Sequence, residues 1–222
     1  PRSAYQDNVV HYNWHWFWNW GTGEGGNNGT HMVDLLRWGM GVEYPVSVNS
    51  SGGRFRYDDD WETPDTQVVS WKFANNSMID WEGRSCNGRN VEDTSVGVAF
   101  YGEKGTLVIG GGNTYKIYDL KNKLIKEVKN DIQIDTQSVV SPSQALDAIH
   151  IQNFFDGIRK GTALNAEIET GFKSTLLTQL GNIALRTGSE LKIDQTNGHI
   201  LDNAAAGAYW KRTYEPGWEP RI

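Results

Sequence analysis

Hydrophobic and polar positions change their period twice along this chain. Through residues 1–28 there is no period: aromatic residues come first, then glycine and asparagine, and the segment reads as loop. From Thr30 to Trp38, Met32, Leu35 and Leu36 supply one apolar side, and Gly39 and Gly41 follow as terminators, which predicts a short helix. Between Tyr44 and Val128 the period becomes two. Val69, Trp71 and Phe73 alternate with Ser70 and Lys72; Ile79 and Trp81 alternate with Asp80 and Glu82; Val96, Val98 and Phe100 repeat the scheme. Leu107, Ile109, Tyr115, Ile117, Leu124 and Ile125 add further short strands. Turn residues separate them at Asn75-Asn76, Gly102 to Gly105, Gly110 to Gly112 and Lys121 to Lys123.

After Ser141-Pro142-Ser143 the helical period returns. Ala148, Ile151, Phe155 and Ile158 form one stripe closed by Gly161, and Phe172, Leu176, Leu180 and Ile183 form another closed by Gly188. A last short helix is expected over Asp202 to Tyr209. Helices at both ends of a run of strands predict an α+β fold: an open, mostly antiparallel sheet with helices packed on one face. No internal repeat or low-complexity segment interrupts it.

Composition narrows the functional classes. The 222 residues carry 21 basic and 27 acidic side chains, a net charge of −6, and the two signs are interspersed. Nucleic acid is therefore not an expected partner, because phosphate binding needs clustered Lys and Arg. No apolar run approaches the ~20 residues of a membrane-spanning helix. The single cysteine, Cys86, excludes an internal disulfide and a thiolate zinc cage. Tryptophan is the outlier: there are ten, four of them (Trp14, Trp16, Trp18, Trp20) within one seven-residue stretch.

That stretch leads into Gly21-x-Gly23-x-x-Gly26, the spacing of a dinucleotide-binding loop. Such a loop must follow a buried parallel strand, and HYNWHWFWNW is not one. Glu24 would also set a carboxylate among amides meant for phosphate oxygens. The glycines are better read as a tight turn into the helix carrying His31. In the first turn of that helix, His31 would sit at the positive end of the macrodipole, which disfavours imidazolium and leaves a ring able to accept a proton. Asp34, three residues on, could hold one ring tautomer, while Asn27 and Asn28 offer amide donors and acceptors. The alternative is a histidine that caps or packs. His31 and Asp34 are two ligands with no third nearby, so a metal site is not indicated.

The aromatic stretch also has two readings. Trp18 and Trp20 could stack on the apolar faces of sugars, or the rings could pack against a neighbouring domain or subunit. Asp58-Asp59-Asp60-Trp61-Glu62 matches a calcium loop in charge only and reads as a solvated turn. His150 reads as a helix-surface or packing residue.

WFWNWGTGEGGNNGTHMVDLLRW resembles the segment after the nucleotide domain in Gfo/Idh/MocA oxidoreductases, nearest to their Bacteroidetes-type branch. The likeness continues through YPVSVNSSGGRF, DDDWETPDTQ, FYGEKGTLVI, HIQNFFDGIRKG and LGNIALRTG, in order and over nearly the whole chain. The resemblance implies that residues 1–222 are a single C-terminal substrate and oligomerisation domain, without the N-terminal Rossmann domain that binds NAD or NADP and carries an E-K-P lysine. It implies a sugar-like substrate, the chain's own Rossmann domain as partner, and a homo-oligomer formed through the sheet. His31 matches the family's histidine, and Asn27 stands where many relatives have aspartate, so the negative charge that would support a cationic histidine is missing. The implied activity is hydride transfer between a sugar carbinol and a nicotinamide. His31 would move the proton, Asn27, Asn28 and Asp34 would bind substrate, and Trp18 and Trp20 would line the pocket. Two alternatives stay open: glycoside cleavage through transient oxidation, and a carbohydrate-binding or assembly domain without chemistry. Many members are exported, so the resemblance suits a periplasmic home, with the cytoplasm as the alternative.

Overall fold

Alternation along 69–73 places Val69 and Trp71 on one side of an extended segment, and both are buried in the computed structural model. Residues 4–110, 114–129 and 144–220 are described. In chain order the strands are β1 (Ser47–Gly53), β2 (Thr66–Lys72), β3 (Met78–Arg84), β4 (Gly97–Gly102), β5 (Gly105–Gly110), β6 (Tyr115–Tyr118), β7 (Leu124–Val128), β8 (Leu191–Ile193) and β9 (Ile200–Leu201). The α-helices are α1 (Thr30–Met40), α2 (Gln144–Lys160), α3 (Ile168–Thr187) and α4 (Ala204–Gly207). The fold is α+β with antiparallel sheets, as the periodicity implies. The chain forms two compact units, Pro1–Arg89 with Phe172–Ile222, and Asn90–Gly171.

In the first unit, β3-β2-β1-β8-β9 make a five-stranded antiparallel sheet. Register sets Trp71 between Val48 and Ile79, and Val48 beside Leu191, so one face carries a continuous apolar layer. All four side chains are at most 2% exposed. Each contributes about 1.5–3 kcal/mol by leaving water. Asn49, Lys72, Asp80 and Glu82 are exposed on the opposite face. Helix α3 lies over the apolar layer: Trp71 Nε1 donates to the Leu177 carbonyl at 2.9 Å. A Cβ on Gly181 would come within 2.8 Å of Val69, so only a bare backbone lets helix and strand approach this closely.

In the second unit, β4-β5-β6-β7 form a four-stranded antiparallel sheet in sequential hairpins. The Asn122 turn between β6 and β7 takes positive φ, as its sequence signals. Helix α2 belongs to this unit and ends at Gly161, which has φ +66°. Ile151, Phe155 and Ile158 of its expected stripe are exposed along the helix. The turn residues Gly111 and Gly112 and the break at Ser141 to Ser143 lie outside the described residues. Among the described residues no helix is long and apolar enough to cross a membrane.

Two expectations at the ends need correction. The last helix is shorter than Asp202 to Tyr209: it covers Ala204–Gly207, with the Asn203 side chain accepting from the Ala206 N–H as N-cap. More consequentially, residues 1–28 are not all loop. Asn13–Trp16 form a 3-10 turn, and Gly25–Gly29 form a π-helical segment that runs directly into α1. Helical backbone begins at Gly23, whose φ of +67° makes the entry turn.

Candidate functional site

The histidine that the sequence singles out is carried by this composite helix. Glycines normally weaken helices, but here they allow contact. An added Cβ on Gly29 would meet the Trp81 ring of β3 at 3.1 Å. One on Gly23 would come within 2.9 Å of the Thr63 side chain. Gly25 and Gly29 are buried. Within the Gly21 to Gly26 run, Gly23 and Gly25 are thus buried at the entry to the helix, and no strand leads into it. It does not fit a dinucleotide cradle.

One face of the composite helix docks on α3 through polar groups. Ser174, Thr178 and Asn182, spaced by four, are 1%, 3% and 4% exposed. Asn182 donates to the Thr22 carbonyl at 2.8 Å and accepts from Gln67 at 3.3 Å. Thr178 and Thr30 share a hydroxyl hydrogen bond at 3.3 Å. Ser174 accepts from Arg37 Nε at 2.9 Å and donates to the Asp34 carboxylate. Burying this many polar atoms is tolerable because each is paired. Hydrophobic periodicity gave no sign of this stripe; a four-residue spacing of small hydroxyl and amide residues in α3 was the available signal.

Asp34 is thus turned to Ser174, and the expectation that it fixes a tautomer of His31 is corrected: Asp34 works with Arg37 in seating α1. The helix-dipole argument for His31 falls as well. The ring is one residue past the π-to-α junction and well inside a continuous helix, so no unpaired N–H groups of a helix terminus surround it. What the structure does show is exposure. His31 is exposed, and no side-chain or backbone group among the described residues hydrogen-bonds its ring. Asn27, one turn earlier, is half-buried, and Asn28 is exposed and donates to Glu24 at 2.7 Å. Short π segments interrupt helices frequently at functional positions, because the extra residue rotates the side chains that follow.

The four clustered tryptophans part ways. Trp16 is buried, stacked on Trp61 at 5.3 Å, and its carbonyl accepts from the backbone N–H groups of Glu62 and Thr63. The acidic segment is thus a docking loop for the aromatic stretch. Asp59 accepts from the Trp61 N–H, and Glu62 accepts from the Trp18 N–H at 2.7 Å. Trp14 and Trp20 are exposed at 41% and 50%. Trp18 is half-buried beneath the guanidinium of Arg186, whose centre is 4.7 Å from the ring centroid. His150 lines a cavity of about 270 Å³ in the second unit with Asn153, Phe154 and Leu164. Among the described residues no three His, Cys, Asp or Glu side chains lie close enough to share a metal ion.

The architecture is thus an α+β domain with two antiparallel sheets and an exposed histidine on α1. The family model for the oxidoreductase family, C-terminal alpha/beta domain, matches residues 2–193, and the chain belongs to that family. No curated protein matches the sequence significantly. Solved structures share the fold. The levoglucosan dehydrogenase in complex with NADH and levoglucosan has a TM-score of 0.64 at 15% identity, over 85% of this chain and 56% of that one. The WlbA dehydrogenase from Bordetella pertussis, in complex with NADH and UDP-GlcNAcA, has 0.59 at 20% identity, over 86% and 51%. An NAD binding oxidoreductase from Klebsiella pneumoniae has 0.64 at 14%, over 84% and 55%. The chain spans about half the length of these structures.

Proposed function

We propose that this chain is the substrate-shaping domain of an NAD(P)-dependent oxidoreductase acting on a sugar or sugar derivative, with His31 as its proton-transfer group. The observation that carries the reading is the exposed, unengaged imidazole of His31 beside Asn27 at a π-to-α junction, in a domain of an oxidoreductase family. A nicotinamide, held by a separate nucleotide-binding domain, would take up or return the hydride. His31 would accept the hydroxyl proton as the carbinol becomes a carbonyl, and return it in the reverse direction. Asn27 and Asn28 would orient neighbouring hydroxyls, Asn28 after exchanging its bond to Glu24. Trp20, half-exposed, and the open edge of Trp18 would wall the sugar's apolar faces. Asp34 would act one step removed, by holding α1 on α3.

The fold likeness to dehydrogenases crystallised with NADH and a sugar ligand supports the substrate class. The test is NADH formation by the intact protein on a panel of hexoses, anhydrosugars and nucleotide sugars, repeated with His31→Ala. A fall in kcat of about 10²–10⁴-fold with unchanged folding is expected, the usual contribution of a positioned base. Turnover within twofold of the parent protein removes His31 from the chemistry.

A further inference from the structure

Arg186, near the end of α3, is held in an unusual way. Its guanidinium centre lies 4.7 Å from the Trp18 ring centroid and 4.2 Å from that of Tyr209, so aromatic rings of two other segments flank it. The side chain is exposed, and no carboxylate or carbonyl among the described residues pairs with it. The nearest carboxylate along the chain, Glu190, accepts instead from Asn49 Nδ2 at 3.3 Å. Glu62 is occupied by the Trp18 N–H. Ring contacts at these distances hold the guanidinium near Trp18 and Tyr209 without consuming its N–H donors in hydrogen bonds to oxygen, so those donors stay available to a ligand. Such donors match two oxygens of a carboxylate or phosphate.

Helix α3 also sets the axial offset between Arg186 and the turn that carries His31. Asp34, Thr30 and Thr22 bond to Ser174, Thr178 and Asn182 in turn, and Trp18 meets Arg186, the next position in the same four-residue series. The two segments therefore run antiparallel. Eight residues separate Thr178, the partner of His31's neighbour, from Arg186, which is about 12 Å along the helix axis. The offset is between backbone positions, so the two side chains and the ligand together would span it.

We propose that Arg186, clamped by Trp18 and Tyr209, is an anion subsite that takes the phosphate or carboxylate of a charged sugar derivative. Its place in catalysis rests on the function proposed above; its binding of anions does not. The test titrates the intact protein with inorganic pyrophosphate and, separately, with D-glucuronate at low salt. The Trp18 indole N–H and the Arg186 Nε–H are followed by NMR. A saturable shift with pyrophosphate alone assigns a phosphorylated or nucleotide-linked sugar, and one with glucuronate alone assigns a uronic acid. Arg186→Gln should weaken binding about 10–100-fold, the worth of a hydrogen bond to a charged group. Arg186→Lys, which keeps the charge but loses the planar fork, should weaken it about tenfold and serves if the glutamine variant does not fold. No shift up to about 10 mM of either anion, or the same shift in Arg186→Gln, overturns the proposal. His31→Ala should leave the titration unchanged, so failure of the catalytic reading and failure of this one give different results.

Discussion

Removing one oxygen atom from α3 should loosen the helix that carries His31. Ser174 is 1% exposed and bridges Arg37 Nε, at 2.9 Å, to the Asp34 carboxylate. In Ser174→Ala both bonds to charged groups are lost, and each such bond is worth about 1.5–3 kcal/mol. Arg37 is 5% exposed, so water cannot readily replace its lost acceptor, although longer contacts to the Val42 carbonyl and Glu43 remain at 3.4 Å. Asp34 is half-buried and recovers water on its open side. Alanine gains about 0.5 kcal/mol of helix propensity over serine. The net expectation is a loss of about 2–4 kcal/mol. All ten tryptophans fall within Pro1–Arg89 and Phe172–Ile222, so indole fluorescence during urea unfolding reports on this unit alone. The urea midpoint should drop by about 1–2 M at unchanged slope. A loss below about 0.5 kcal/mol would mean that the Asp34–Ser174–Arg37 chain does not seat α1, since that is the range of an inconsequential substitution.

The glycines of the π segment should separate by what a methyl group would meet. Gly29→Ala forces a Cβ to 3.1 Å from Trp81 and should cost about 1–3 kcal/mol, whereas Gly25→Ala meets Asn182 at an ordinary 3.7 Å and should be neutral or gain up to about 1 kcal/mol. The same fluorescence titration checks this, and the reverse order would contradict the close-approach explanation. Burial pushes the Asp65 carboxyl up, but the N–H groups of Arg56, Phe55 and Tyr57 and the hydroxyl of Thr66 together bring it below its ordinary value. With a folded value lower than the unfolded one, its stabilisation is complete above the ordinary aspartate range near 4 and is lost as pH falls through the lowered value. Unfolding midpoints taken downward from pH 6 should therefore fall less steeply in Asp65→Asn than in the parent chain; parallel curves would contradict it. Net chemistry is checked by product analysis: stoichiometric NADH accompanies dehydrogenation, while free sugar without NADH marks glycoside cleavage by transient oxidation.

Strands β2 and β3 were readable because one side of each is turned from solvent: Val69, Trp71, Ile79 and Trp81 alternate with polar residues, and register confirms the alternation, whereas β8 and β9, three and two residues long, are too short to show a period and were missed. Helix ends at Gly41, Gly161 and Gly188 were readable for a local reason, since all three take positive φ. The Gly25–Gly29 segment was misread because glycine's low helix propensity is a local signal, while the close approach that selects glycine at position 29 comes from Trp81, far along the chain. Asp34 was misassigned for a related reason. His31 lies three residues away on the same helix, but the partner that holds Asp34 is Ser174, 140 positions along the chain. The division of the strands into a five-stranded and a four-stranded sheet depends on pairings that alternation does not encode. His31 and Asn27 stood out by residue type, and Arg186 did not, because its clamp joins residues 18, 186 and 209.

The most direct measurement is a crystal structure of the intact protein with a sugar ligand bound. The expected result is a ring nitrogen of His31 within about 2.6–3.2 Å of a sugar hydroxyl, or one water away, with the Asn27 amide on the same sugar. A sugar seated elsewhere, with His31 pointing into bulk solvent, would contradict the proton-transfer role.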